Sequence, residues 1–157
     1  MTQYPGPLYH ELPHWVSANA QYHIRLRIGK TTQGRPGVPA TALIGRLDAP
    51  VTAKALISSA QNYHQKGLWW CSLILLMPDH VHGMFTFPPE KGMSQTIRDW
   101  KRLTAKTLNI DWQPNYFDHR LRSPKESDET WSYIRANPVC AALCDWPWWW
   151  SALSPTR

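Results

Sequence analysis

Leu68-Trp69-Trp70-Cys71-Ser72-Leu73-Ile74-Leu75-Leu76-Met77-Pro78-Asp79-His80-Val81-His82-Gly83-Met84-Phe85-Thr86-Phe87 decides the fold. Leu68 to Met77 is a nearly unbroken apolar run of strand length, Pro78-Asp79 is a turn, and His80 to Phe87 alternates with the period of a strand. Together they predict a β-hairpin. Working outward, Tyr22-His23-Ile24-Arg25-Leu26-Arg27-Ile28 alternates in the same way and predicts another half-buried strand. Gly29 to Pro39 is broken by Gly and Pro and reads as a loop. Pro50 to Lys66 has helical composition, with Ala55, Leu56, Ala60 and Tyr63 as a rough apolar stripe.

Beyond the hairpin, Gly92 to Asn109 is the clearest helix, with Met93, Ile97, Trp100, Leu103 and Leu108 on or near one face. Tyr116 to Arg122 is a short strand. Ser123-Pro124-Lys125-Glu126 joins an N-cap serine, a proline at the first helical position and a glutamate at the third. That helix is expected to end near Ala136, because Pro138 disfavours helical geometry just before it. A short helix from Pro138 to Cys144 and a Trp-rich tail, residues 145–157, follow; residues 1–19 read as an irregular leader. The order is strand, helix, strand, strand, helix, strand, helix. Its first six elements are the βαββαβ plan of a ferredoxin-like α+β sandwich with an antiparallel sheet, and a last helix is left over to cover part of the open face.

The chain has 157 residues, enough for one domain with a real core. Lys and Arg exceed Asp and Glu to give a formal net charge of +6, which favours an anionic partner such as nucleic acid. Cys71, Cys140 and Cys144 form no CxxC pair and no disulfide framework, and Cys71 in its apolar run reads as a buried thiol. The N-terminus lacks the basic and apolar regions of a signal peptide. The longest apolar run is too short to cross a bilayer. A cytoplasmic protein with no membrane association is expected.

His80 and His82 occupy alternate positions of a strand, so their imidazoles project to one face and can converge on a metal ion. Taken alone, the pair fits a solvent-facing strand equally well. Tyr133 and Asn137 lie one helical turn apart on the last helix. A packing tyrosine and a capping asparagine would account for them individually. Arg98, Arg102 and Lys106 recur every fourth residue, with Lys101 beside them, as a basic stripe or a solvated helix face. Arg25, Arg27, Arg120, Arg122 and Arg135 lie on elements flanking the histidines and are further candidates for phosphate contacts. Trp148, Trp149 and Trp150 suit either base stacking or packing of the tail onto the domain, and packing is the preferred reading.

Four separated segments occur in order: Met77-Pro78-Asp79-His80-Val81-His82, Trp100-Lys101-Arg102-Leu103-Thr104, Trp112-Gln113 through Phe117-Asp118-His119-Arg120-Leu121-Arg122, and Tyr133-Ile134-Arg135-Ala136-Asn137-Pro138-Val139. This succession resembles the single-tyrosine HUH transposases, and within them the REP-associated tyrosine transposases, over roughly residues 20–150. The resemblance implies the ferredoxin-like fold with Tyr133 on its C-terminal helix as the nucleophile. It implies Mg²⁺ or Mn²⁺ held by His80 and His82 with Asn137 as a further ligand. It also implies single-stranded DNA as substrate, nicked and rejoined through a 5′-phosphotyrosine at hairpin-forming palindromic repeats. A free tyrosine is a poor nucleophile at neutral pH, which is why such chemistry needs a cation at the phosphate. Arg98, Lys101, Arg102, Lys106, Arg120, Arg122 and Arg135 would hold the DNA, and a monomer is favoured over a homodimer.

The sequence departs from the family pattern at Trp146-Pro147-Trp148-Trp149-Trp150, where relatives tend to follow Trp-Pro with small hydroxyl residues. Any C-terminal DNA-contacting extension is expected to be missing or very short. The alternative is a DNA-binding regulator that keeps the fold without cleavage.

Overall fold

The antiparallel sheet has the strand order β4-β1-β3-β2-β5 in a computed structural model that describes residues 14–29, 36, 46–140 and 146–153. The elements are α1 (His14–Ala18), β1 (Gln21–Arg27), α2 (Pro50–Gln65), β2 (Trp70–Leu76), β3 (His80–Thr86), α3 (Gly92–Leu108), β4 (Phe117–Leu121), α4 (Pro124–Cys140) and β5 (Trp149–Trp150). The βαββαβ plan is therefore present, with a fifth strand added beside β2. The expected loop at Gly29 to Pro39 lies almost entirely outside the described residues, as do residues 1–13 of the leader.

Alternation along the strands builds a different core on each face. On one face Ile24, Leu26 and Ile28 join Ile74, Leu76, Val81 and Phe85 against the buried residues of α2 and α3, with Trp69 and Trp100 at the centre. On the other face Leu73, Leu75, Met77, Met84 and Leu121 meet Trp131 and Ile134 of α4. Cys71 and Leu73 serve opposite cores despite sitting two apart, because the β2–β3 register shifts between them. Such a bulge inserts one unpaired residue and flips the inward positions that follow. Cys71 is a fully buried free thiol, as its sequence context suggests.

Three helix expectations are corrected. In α3 the inward positions are Thr96, Ile97, Trp100 and Thr104, and Leu103 is exposed. Thr104 can be buried because its hydroxyl donates to the Trp100 carbonyl at 2.9 Å and accepts from the Trp112 indole at 2.8 Å. In α2, Ala53 rather than Ala55 is fully buried. The third correction concerns α4, which passes through Pro138 to Cys140 instead of ending near Ala136. A proline inside a helix removes one N–H and biases its predecessor, a cost that docking of α4 on the sheet outweighs. The Asn137 side-chain amide also donates to the Tyr133 carbonyl at 2.9 Å, adding a bond beside the interruption. A separate helix to Cys144 lies partly beyond the described residues.

The start of α4 follows the capping signal. Ser123 Oγ accepts from the Glu126 backbone N–H at 3.1 Å, and the Glu126 carboxylate accepts from the Arg122 N–H at 2.7 Å. The Trp-rich tail packs, as preferred. Trp149 and Trp150 pair with Leu75 and Ile74, the Trp146 indole donates to the Leu76 carbonyl at 2.7 Å, and the Leu76 N–H donates to the Trp148 carbonyl at 2.9 Å.

Candidate metal and nucleophile site

The histidine row belongs to the sheet face covered by α4. On β3, His80 and His82 share that face with Met84, while Val81 and Phe85 enter the opposite core. The Pro78-Asp79 turn is tied down at both ends. The Met77 N–H donates to the His80 carbonyl at 2.8 Å, and the Ile28 N–H donates to the Asp79 carbonyl at 3.1 Å. This anchoring holds Asp79 beside His80, where its carboxylate Oδ1 lies 2.6 Å from His80 Nδ1. Asp79 also faces Arg27 at 3.6 Å.

The two imidazoles converge. His80 Nε2 and His82 Nε2 are 3.1 Å apart, with the rings nearly perpendicular. Two nitrogens bound at right angles to one divalent ion, at roughly 2.1 Å each, would stand about 3 Å apart. The donor set therefore fits a metal. Burial also favours the neutral, ligating form of both rings. It is the main cause that lowers His82 to about 3, helped by the neighbouring His80, His23, Arg25 and Arg27. Burial likewise lowers His80, against the opposing pull of Asp79. Among the described residues no group of three or more His, Cys, Asp or Glu side chains is arranged to hold a metal, so the pair would need oxygen donors from elsewhere.

β1 adds a third histidine that the sequence reading did not single out. His23 Nε2 lies 3.0 Å from His82 Nδ1, and the rings are stacked. Burial, followed by Arg25 and His119, lowers its pKa to about 4, so it too is neutral. Strand pairing places Arg25 opposite His82 and Arg27 opposite His80. These two arginines line the row directly, and the Arg25 guanidinium lies 5.0 Å over the exposed Phe117 ring. The only sequence signal for His23 was its shared face with Arg25 and Arg27 on an alternating strand.

α4 delivers the tyrosine. Trp131, Ile134 and Pro138 form its buried stripe, and the residues beside that stripe point to opposite sides. Tyr133 leans over the histidines, its ring centroid 6.0 Å from His82 and 6.3 Å from His23, yet it remains 56% exposed. Arg135 leans the other way, its guanidinium 3.7 Å over Trp149. The structure thus brings His80, His82 and Tyr133 together. Asn137 lies one turn beyond Tyr133, with its amide bonded back to the Tyr133 carbonyl of its own helix.

The candidate DNA-binding residues divide between the faces. Arg98, Arg102 and Lys106 project from α3, which packs on the sheet face opposite the histidines. Lys101 donates to the carbonyls of Gln113 and Pro114 at 2.6 and 3.3 Å, so it fastens α3 to the segment before β4. Arg120 pairs with Tyr22 and lines a cleft with Phe87 and Met93, also on the α3 side. Arg122 is exposed at the start of α4.

No family model matches the chain. A solved structure of a REP-associated tyrosine transposase bound to a REP hairpin superposes with a TM-score of 0.64, at 19% identity, covering 83% of this chain and 76% of that one. The chain has the fold of a REP-associated tyrosine transposase. In sequence, it is 28% identical to the REP-associated tyrosine transposase of Escherichia coli K12 over 46% of this chain and 48% of that relative. It is also 28% identical to an uncharacterized protein of Haemophilus influenzae, over 41% and 52%. The chain thus spans about half the length of the curated relatives it matches. The likeness to REP-associated tyrosine transposases expected from the motifs is present in both fold and sequence. Among the described residues no helix is long and apolar enough to cross a membrane.

Proposed function

We infer that the chain is a metal-dependent enzyme that nicks and rejoins single-stranded DNA at hairpin-forming repeats, with Tyr133 as nucleophile. The observation that carries this reading is the exposed Tyr133 ring set edge-to-face against His82, whose Nε2 meets that of His80 at 3.1 Å. Packing alone gives no reason for a tyrosine on a docked helix to lie over buried, neutral imidazoles and remain open to solvent.

His80 and His82 would hold Mg²⁺ or Mn²⁺, with Asn137 and phosphate oxygens completing the shell. The bound cation would neutralise charge on the scissile phosphate. Arg25 and Arg27 sit beside the row and would add positive charge to the same phosphate. The Tyr133 hydroxyl oxygen attacks phosphorus, a phosphotyrosine bond forms, and the bond from phosphorus to the 3′ oxygen breaks. The phenolic proton passes to water and the leaving oxygen is protonated to a 3′-hydroxyl. The covalent ester keeps the energy of the phosphodiester, so a second 3′-hydroxyl can displace Tyr133 and join strands without ATP. Phe117, exposed beneath Arg25, offers a stacking surface for an unpaired base next to the site. The protein would act in the cytoplasm as a monomer.

The test uses labelled single-stranded oligonucleotides carrying the hairpins that flank the protein's own gene, with Mg²⁺ or Mn²⁺. A covalent adduct on a denaturing gel that needs metal and is absent from Tyr133→Phe supports the reading. Tight binding without an adduct, across both metals and a broad set of hairpins, favours a non-cleaving DNA-binding regulator.

A further inference from the structure

A metal-binding imidazole must present a bare nitrogen, and its other nitrogen must then carry the proton. That N–H needs an acceptor, particularly when buried, where an unmade hydrogen bond is costly. His80 has one in Asp79, 2.6 Å from its Nδ1. His82 is only 1% exposed, so solvent is a poor substitute. The group at its Nδ1 is His23 Nε2, 3.0 Å away on β1.

We propose that His23 is a positioning residue for the metal site, accepting the Nδ1 proton of His82 and so directing the His82 Nε2 lone pair at the ion. The proposal rests on His80 and His82 being ligands. Three neutral rings and Asp79 form one chain of contacts: His23 to His82 at 3.0 Å, His82 to His80 at 3.1 Å, and His80 to Asp79 at 2.6 Å. Without a cation every proton in that chain can point toward Asp79, with His23 donating to His82 and His82 donating to His80. With both Nε2 atoms committed to a cation the central contact cannot hold a proton. The His82 proton must then sit on Nδ1, and His23 must switch from donor to acceptor. A histidine can make that switch because either of its nitrogens can carry its single proton. His23 is fixed for the task by its strand: it is registered opposite Met84, two positions from the Arg25–His82 pair and so on the same face, with its ring stacked on His82.

Mn²⁺ binding, measured directly on the DNA-free protein, separates the possibilities. His23→Leu is expected to weaken Mn²⁺ binding by roughly 10- to 100-fold. His23→Gln, whose amide oxygen can reach the place of Nε2 and accept the same proton, should stay within a few-fold of the native chain. In ¹⁵N spectra of the Mg²⁺-loaded native chain, His82 should carry its proton on Nδ1, with scalar coupling to His23 Nε2. Native-like Mn²⁺ affinity in His23→Leu overturns the proposal, and so does a Mg²⁺-loaded native chain in which His23 is the donor. The spectrum needs no variant, so a poorly folded His23→Leu does not block the test. If His80→Ala also leaves Mn²⁺ binding unchanged, the ligand assignment itself fails and the proposal falls with it.

Discussion

The Arg135 guanidinium lies 3.7 Å over the Trp149 ring, joining the helix that carries Tyr133 to the strand that closes the sheet. Trp149 also packs on the α4-side core beside Leu75. The tail therefore sets the seat of the helix, and with it the height of Tyr133 above the histidines. Arg135 is half-buried and engaged in this contact, which makes it a structural cation first.

Trp149→Ala is expected to destabilise the fold by about 3 kcal/mol, the low end for a large aromatic because the ring is only partly buried. Urea denaturation measures the loss. Unchanged stability combined with weakened DNA binding would instead assign Trp149 to base stacking.

Tyr133→Phe should abolish the covalent adduct while changing stability by less than about 0.5 kcal/mol, since the side chain is 56% exposed. The paired readouts are the denaturing gel and the melting temperature. The His80→Ala, His82→Ala double variant is expected to keep its fold and lose cleavage; full activity would overturn the metal assignment.

The metal-free protein should lose stability as pH falls below about 6.5. His82 and His23 are lowered in the folded chain to about 3 and about 4 from 6.5. Between those limits the unfolded chain takes up protons that the folded chain refuses. The stabilisation is full above the unfolded value and declines as pH drops toward the folded ones. A loss on the order of a few kcal/mol between pH 6.5 and pH 4 is expected from urea titrations at stepped pH. It should shrink in His23→Gln.

Arg25→Gln and Arg27→Gln should weaken single-stranded DNA binding more than Arg98→Gln and Arg102→Gln, because only the first pair shares a face with the histidines. Phe117→Ala should cost about 1–3 kcal/mol of the same binding. Fluorescence titrations over a range of salt check both, and equal effects from the α3 arginines would place DNA on both faces.

Gly83→Ala is expected to destabilise by about 1–3 kcal/mol through overpacking. An added Cβ would meet the Phe85 ring at 2.1 Å, in the core opposite the histidines. Thermal melting tests this, and a neutral result would mean that Phe85 can move aside.

What lies close along the chain was legible without coordinates. Strand alternation placed His80 and His82 on one face, helical spacing placed Tyr133 and Asn137 on another, and the Ser123-Pro124-Lys125-Glu126 cap started α4 where it was expected. Periods of two and near four are properties of the backbone itself. The end of α4 lies beyond where Pro138 alone would place it, because docking on the sheet outweighs that local bias. The partner of His82 could not be read from local pattern at all. His23 stands 59 residues away, and only the β1–β3 register brings it to His82 Nδ1. Likewise, the sequence puts Arg98 and Arg102 on α3 and Arg135 on α4. Which of those charges faces the histidines depends on which side of the sheet each helix covers, and that is decided by packing two cores on opposite faces of one sheet.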